Sequence, residues 1–425
     1  MAGETREPLE PLMPLTATLR GLLRGAPALL LAAGCFSEPP YEPETGVVFA
    51  PSSAGSAAGG GTVTGRSPGS PFALHFADGP GFHFPDSLKI ASTEVLGHED
   101  NPGCFREDQL GVLIAPVARV SASSGTSVTR NVLTPVLPGP AVTQVKLEWE
   151  AAFTCDPRRT PKGASTFTVF PDGKIVRIDT VEDPSTSTIT PSQCACADAM
   201  GSDALFHSFT YWTLARGALE SFFVPDYSSD AQTLPLSGEV VFGNQTLACA
   251  QGPAAQVAFL WNDFLNAQIR GGGAIVGFSH ELGEVGPSEL GAFSFKDRST
   301  AFLETKGCTA AIDRAQRHRT PPKLDIDGDL VPPSELDGIY GGDAGNGQPP
   351  GIPAKGDRVV VSGPLQGGFA VWVRFSRSVE GIRTTPSFSR PEGEWYLPQR
   401  VDDTSWILWF KDTLTGDQKI TIEAR

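Results

Sequence analysis

Residues 165–181 read STFTVFPDGKIVRIDTV, two runs of β-branched and aromatic side chains on either side of Pro171-Asp172-Gly173. Glycine supplies the positive φ that a tight turn needs, so the stretch predicts a β-hairpin. Upstream, VKLEWEAAF (145–153) alternates: Val145, Leu147 and Trp149 face one way, Lys146, Glu148 and Glu150 the other. That period of two is a strand's. SGEVVFG (237–243) and LGAFSFKDRSTAFLETK (290–306) continue the pattern. Residues 71–320 are therefore expected to fold as a β-sandwich-like central domain, within the size one such domain reaches. One segment fits less well. In AAQVAFLWNDFLNAQI (254–269), Val257, Leu260, Trp261, Phe264 and Leu265 recur at i, i+3, i+4, i+7 and i+8. This spacing predicts an amphipathic helix, although VAFLW also reads as a buried strand.

Downstream, residues 321–355 are rich in Pro, Gly and acidic residues and read as a linker. After it, RVVVSG, FAVWVRFS, TSWILWF and QKITIEA are short strands; Ile420 and Ile422 face one way, Lys419, Thr421 and Glu423 the other. Residues 356–425 thus form a second, smaller sandwich, and the chain is mainly β. The segment resembles the bacterial Ig-like domains of S-layer and cell-surface proteins. The matching residues are Phe375-Ser376-Arg377-Ser378-Val379, Trp406-Ile407-Leu408, and Leu414-Thr415-Gly416 leading into Lys419-Ile420-Thr421-Ile422. Those families carry Phe-Ser-x-Pro-Val; Ser378 stands where the proline would be, and Lys419 replaces a frequent tyrosine. The resemblance covers about a sixth of the chain. It implies a spacer or adhesive module without an active site.

Upstream, residues 35–70 are dominated by Pro, Ser, Gly and Ala and offer few apolar side chains to offset ordering, so a flexible tether is expected. Residues 1–34 read as a secretory signal: Arg20 and Arg24 precede a nine-residue run, Ala26 to Gly34, that small residues close. A run this short cannot span a bilayer, which needs roughly 20 apolar residues. Glu4, Glu7 and Glu10 suit a signal poorly, and Met13 is an alternative start. Leu31-Ala32-Ala33-Gly34-Cys35 resembles the lipobox of bacterial lipoproteins, with Ala32 in place of the usual leucine. The resemblance implies a diacylglycerol on Cys35 and cleavage before it. Phe36 follows, with no Asp to hold the protein at the inner membrane, so the expected address is the outer membrane, facing periplasm or cell surface.

Seven cysteines minus Cys35 leave Cys104, Cys155, Cys194, Cys196, Cys249 and Cys308, all within 104–308. An even number in an exported chain reads as disulfides, with fifteen possible connectivities. Cys194 and Cys196 would share a strand face, so each is expected to pair elsewhere; C-x-C also lacks the spacing of zinc knuckles. The net charge of −15 persists after the leader is removed. An acidic chain without a basic stripe excludes general binding to nucleic acid.

Candidate chemistry is sparse. LDIDGDLVPPSELDG (324–338) places Asp325, Asp327 and Asp329 at alternate positions, with Glu335 and Asp337 following. Such hard oxygens suit structural calcium at the domain joint, and a solvated acidic hinge has the same composition. It is not an EF-hand, because Leu330 and Leu336 hold the glycine and glutamate positions. His280-Glu281 begins like a zinc-protease motif, but Glu284 stands at the second histidine. Gly277-Phe278-Ser279-His280-Glu281 misses a nucleophile elbow at its last position. Glu148 and Glu150 lie roughly 7 Å apart on one strand face, within the range of glycosidase carboxylates and equally at home on a polar sheet face. Phe206, Phe209, Tyr211, Trp212, Phe222, Phe223 and Tyr227 suit a sugar platform or, better, a sandwich core. His75, His83, His98 and His207 are scattered among aromatics and read as structural. The sequence thus indicates an outer-membrane-anchored surface lipoprotein that binds a glycan or a surface protein, adheres, or serves envelope structure without catalysis. The alternative is a glycan-active enzyme, a hydrolase or lyase, with its site in the central domain.

Overall fold

The computed structural model describes residues 46–52, 59–67, 70–78, 83–96, 110–115, 118–121, 127–152, 160–183, 207–214, 220–224, 232–235, 240–243, 247–261, 266–269, 274–281, 293–317, 323–326, 329–330, 352–364, 367–389, 395–411 and 413–425. An N-terminal five-stranded sheet runs in chain order through β1 (Val48–Pro51), β2 (Gly61–Ser67), β3 (Ser70–Phe76), β4 (Pro85–Ile90) and β5 (Thr93–Glu94). Next come β6 (Leu110–Ala115), β7 (Ala118–Ser121), β8 (Ser127–Pro138), β9 (Thr143–Ala152), β10 (Lys162–Val169), β11 (Lys174–Asp183) and β12 (His207–Leu214). They are followed by β13 (Ser221–Val224), β14 (Gln232–Pro235), β15 (Val240–Gly243), β16 (Leu247–Gln251), β17 (Gln256–Trp261), β18 (Asn266–Ile269), β19 (Ala274–Glu281) and β20 (Phe293–Glu304). These build a nine-stranded sheet, β14-β13-β16-β17-β20-β11-β10-β9-β8, and a six-stranded one, β15-β18-β19-β12-β6-β7. Helix α1 (Cys308–Arg317) closes the central part.

The opening hairpin forms as expected. β10 and β11 pair antiparallel with Val169 opposite Ile175. Gly173 N–H donates to Phe170 O at 3.0 Å, Phe170 N–H donates to Lys174 O at 2.9 Å, and Gly173 has φ +79°. Proline at the first corner and glycine in the left-handed region are what this turn requires.

The nine-stranded sheet carries other elements on its inner face and on part of its outer face. On the inner face the five-stranded sheet brings Phe76 edge-on to Phe167 at 5.3 Å, and the six-stranded sheet brings Trp212 to Phe259 at 5.5 Å. On the outer face α1 lays Cys308, Ala311, Ile312 and Ala315 over Leu247, Cys249, Ala258, Leu260 and Phe302. A Cys249–Cys308 disulfide fastens it there.

The C-terminal sandwich consists of β21 (Lys323–Ile326), β22 (Asp329–Leu330), β23 (Ile352–Lys355), β24 (Arg358–Ser362), β25 (Phe369–Arg374), β26 (Ile382–Pro386), β27 (Tyr396–Arg400), β28 (Ser405–Phe410) and β29 (Lys419–Ala424). They form two sheets, β22-β21-β24-β29-β26 and β23-β25-β28-β27. Their shared core holds Val359, Val361, Phe369, Val371, Val373, Phe375, Leu408, Phe410, Ile420 and Ile422. Its second sheet docks on the outer face of the central one, where Ala370, Ile407 and Trp409 join Leu137, Ala141, Val142, Phe170, Val176 and Ile178 in one buried cluster.

Three expectations change. The stretch read as a helix contains two strands, β17 and β18. β17 lies between β16 and β20 and is buried from Gln256 to Leu260, so both faces are apolar and the helical spacing is coincidental. The expected tether of 35–70 holds β1 and β2, recruited by pairing with β3; Val63 is fully buried despite the Gly/Ser-rich surroundings. The expected linker of 321–355 holds β21, β22 and β23, so the C-terminal sandwich begins at Lys323. Helix α1 is an addition that strand-period reading misses.

Candidate functional site

The most distinctive chemistry lies on the inner face of the hairpin. The pairing register puts Val145, Phe167, Arg177 and Ser299 in one row across β9, β10, β11 and β20, and Leu147, Ser165 and Asp179 in the next. Arg177 Nε lies 2.7 Å from Asp179 Oδ2, with side chains 0% and 2% exposed, and Ser165 Oγ donates to Asp179 Oδ1 at 2.5 Å. The guanidinium is boxed by the rings of Phe84, Phe167 and Trp212, 6.0, 5.6 and 6.0 Å from its carbon. Trp212 Nε1 donates to Ser299 Oγ at 3.2 Å. Burial pushes the Asp179 carboxyl above the ordinary carboxylate range, against the pull of Arg177 and the Ser165 hydroxyl. A pair closed off in this way acts on the protein itself, holding three sheets in register, and offers no surface to a ligand.

A second polar cluster sits at the hairpin tip, where three parts of the molecule meet. Lys174 Nζ donates to Gly368 O of the C-terminal sandwich at 3.2 Å and lies 3.8 Å from the Phe170 ring centre. Asp172 pairs with Arg314 of α1, whose Nη1 donates to Leu303 O at 3.2 Å. Gly368 has φ +88°, and a Cβ there would lie 2.2 Å from Asp172 Oδ2, so turn and loop interlock without room for a methyl group. Burial lowers the Lys174 ammonium to about 7, opposed by Asp172 and reinforced by Arg314 and Arg298. Nearby, Gln399 Oε1 accepts from Val142 N–H at 2.9 Å, a second polar tie between the modules.

The outer face beyond the docked sandwich carries the carboxylates read from the sequence. Glu148 and Glu150 both face out, and Arg130 of β8 lies 3.8 Å from each, while Lys146 Nζ lies 3.3 Å from Glu148. Lys162 and Glu182 pair at 2.7 Å on the same face. Each glutamate is thus matched by cations, the arrangement of a solvated sheet face.

Of the expected disulfide cysteines, Cys249 and Cys308 pair. Cys104, Cys155, Cys194 and Cys196, and the lipidation residue Cys35, lie outside the described residues. In the acidic stretch, Asp325 is half-buried on β21 and Asp329 stands on β22, opposite Ile326, while Asp327, Glu335 and Asp337 lie outside the described residues. Among the described residues no group of three His, Cys, Asp or Glu stands ready for a metal. His280 and Glu281 fall on a strand, β19, rather than the helix that zinc spacing needs. Trp212 is fully buried, which places it with the core. His75 lies between Asp86, at 2.5 Å, and Asp78, at 3.6 Å, and His83 is buried against Ala77 O at 2.7 Å. Both rings thus have partners within the protein. The sequence reading missed Arg177, Asp179, Lys174 and Arg314. Alternation sends charged residues outward, and only the layers on both sides, which are not local, bury them.

No family model matches the chain, and no curated protein matches it in sequence. Among solved structures, a galactose 1-epimerase from Lactobacillus acidophilus is similar over 61% of this chain and 99% of its own, at 8% identity and a TM-score of 0.37. A mutant heparan sulfate lyase HepC from Pedobacter heparinus is similar over 73% of this chain and 40% of its own, at 8% identity and a TM-score of 0.34. The chain thus spans two-fifths of that lyase. Similarity at this level assigns no activity to the chain.

Proposed function

We propose that the chain is an outer-membrane lipoprotein, anchored by a lipid on Cys35, whose body binds, adheres or supports the envelope without catalysis. The observation that supports this best is the junction. The central sheet and the C-terminal sandwich share one apolar cluster around Phe170, Ile178 and Trp409, tied by Lys174 to Gly368 and Gln399 to Val142. Modules joined in this way transmit load as one body, which suits a spacer or adhesive protein better than an enzyme with moving lids. A glycan or a surface protein is the proposed ligand, and the acidic stretch around Asp325 to Asp337 is proposed to take calcium.

The test offers the oxidised full chain to bacterial and plant polysaccharides, with calcium and with chelator, and records both retention and released reducing ends. Retention without product, weaker in chelator, is expected. Product release that vanishes in a Glu148→Gln, Glu150→Gln variant would overturn the non-catalytic reading in favour of a glycan-active enzyme.

A further inference from the structure

We propose that the edge formed by β1 and β8 is the lipid-facing side of the body, seated on the bilayer surface; this rests on the lipidation of Cys35 proposed above. Among the described residues three large apolar side chains are strongly exposed: Val48 at 46%, Val132 at 40% and Val136 at 44%. All three belong to two strands that touch. β1 ends the order of the five-stranded sheet and β8 ends that of the nine-stranded one, so among the described residues two edge strands adjoin. Val47 N–H donates to Pro140 O and Thr143 Oγ1 donates to Val47 O, each at 2.9 Å, which pins the residue before β1 to the turn between β8 and β9.

The chain enters the body at this corner. Ten residues lie between Cys35 and Gly46, and even fully extended the eleven steps span at most about 40 Å. An acyl anchor therefore keeps this corner close to the membrane, with Val48 two residues after the entry point. Apolar groups on an edge strand call for cover. A second copy is a poor candidate: Pro135 and Pro138 of β8 have no N–H to donate to an added strand. The charge of −15 also opposes self-association. A lipid surface needs no strand register: Val48 and Val136 would enter it, while Val132, opposite Glu148, would lie at headgroup level beside the charged row.

The experiment compares the acylated full chain on phosphatidylcholine vesicles with the full-length Cys35→Ser protein in solution, by amide hydrogen exchange, after mass measurement of the acyl group. Exchange in residues 48–51 and 127–138 is expected to slow about fivefold or more on vesicles, with no change in β26, the end strand of another sheet among the described residues. A Val132→Ser, Val136→Ser variant should lose the slowing while staying folded, since both positions are exposed. An acylated protein whose edge exchanges equally in both settings overturns this proposal and leaves the anchor standing. Absence of the acyl group overturns both. Slowing that appears in the Cys35→Ser protein and grows with its concentration assigns the edge to a second copy and overturns the lipid.

Discussion

On β9, β10 and β11 the same kinds of side chain serve different ends on the two faces of one sheet. Inside, Arg177 and Asp179 are sealed by aromatic rings and a serine. Outside, Arg130, Lys146, Glu148 and Glu150 form a looser lattice at 3.3 to 3.8 Å, each more than a third exposed. The inner pair gives up hydration and depends wholly on its partners; the outer residues keep their water and depend little on one another. Charge in a sequence therefore says little about stability until the layers over it are known.

The largest expected effect comes from breaking the inner pair. Asp179→Ala leaves a buried guanidinium uncompensated and should lower unfolding free energy by about 3–5 kcal/mol in urea melts. Replacing both, Arg177→Met with Asp179→Leu, should restore stability to within about 1 kcal/mol or exceed it. Failure of the double variant to recover would show that the pair sets the packing itself. Next is the disulfide: Cys249→Ala with Cys308→Ala opens a link across 59 residues and should cost about 2–4 kcal/mol, read as a lower urea midpoint under oxidising conditions.

Lys174 gives a pH signature. Above its ordinary value of 10.5 the amine is neutral in both states, and below about 7 it is charged in both. Between them the unfolded chain holds a proton that the folded one lacks, so stability rises as pH rises through that window. Lys174→Met should flatten that rise; an unchanged slope would show that Lys174 keeps its charge when folded. The smallest effect belongs to the outer face. Glu148→Gln or Glu150→Gln should shift stability by no more than about 0.5 kcal/mol, and a larger loss would erase the contrast between the faces.

Much of the fold was legible from local signals. Pro171-Asp172-Gly173 fixes the hairpin, Val145 to Trp149 fixes which side of β9 is inside, and the period-two runs after Arg358 fix the C-terminal sandwich. What failed was non-local. β2 has a loop's composition and becomes a strand by pairing with β3. The run from Gln256 to Leu260 is buried on both faces, which removes the alternation that marks a strand. The site was less legible still, since Lys174 and Gly368 are 194 positions apart. For α1 a signal was present: Cys308, Ala311, Ile312 and Ala315 share a helical face.

The shared cluster at the junction also sets a timetable. Phe170, Val176 and Ile178 are made more than two hundred residues before their partners Ile407 and Trp409. At about 5–20 residues per second, synthesis leaves that surface bare for roughly 10–50 s. A chain stopped at residue 321 would carry it bare indefinitely and is expected to aggregate where the full chain stays dispersed in light-scattering measurements. During biogenesis the half-made protein is thus stickier than the finished one, and a holdase that shields it in transit would be needed only until the last strands arrive.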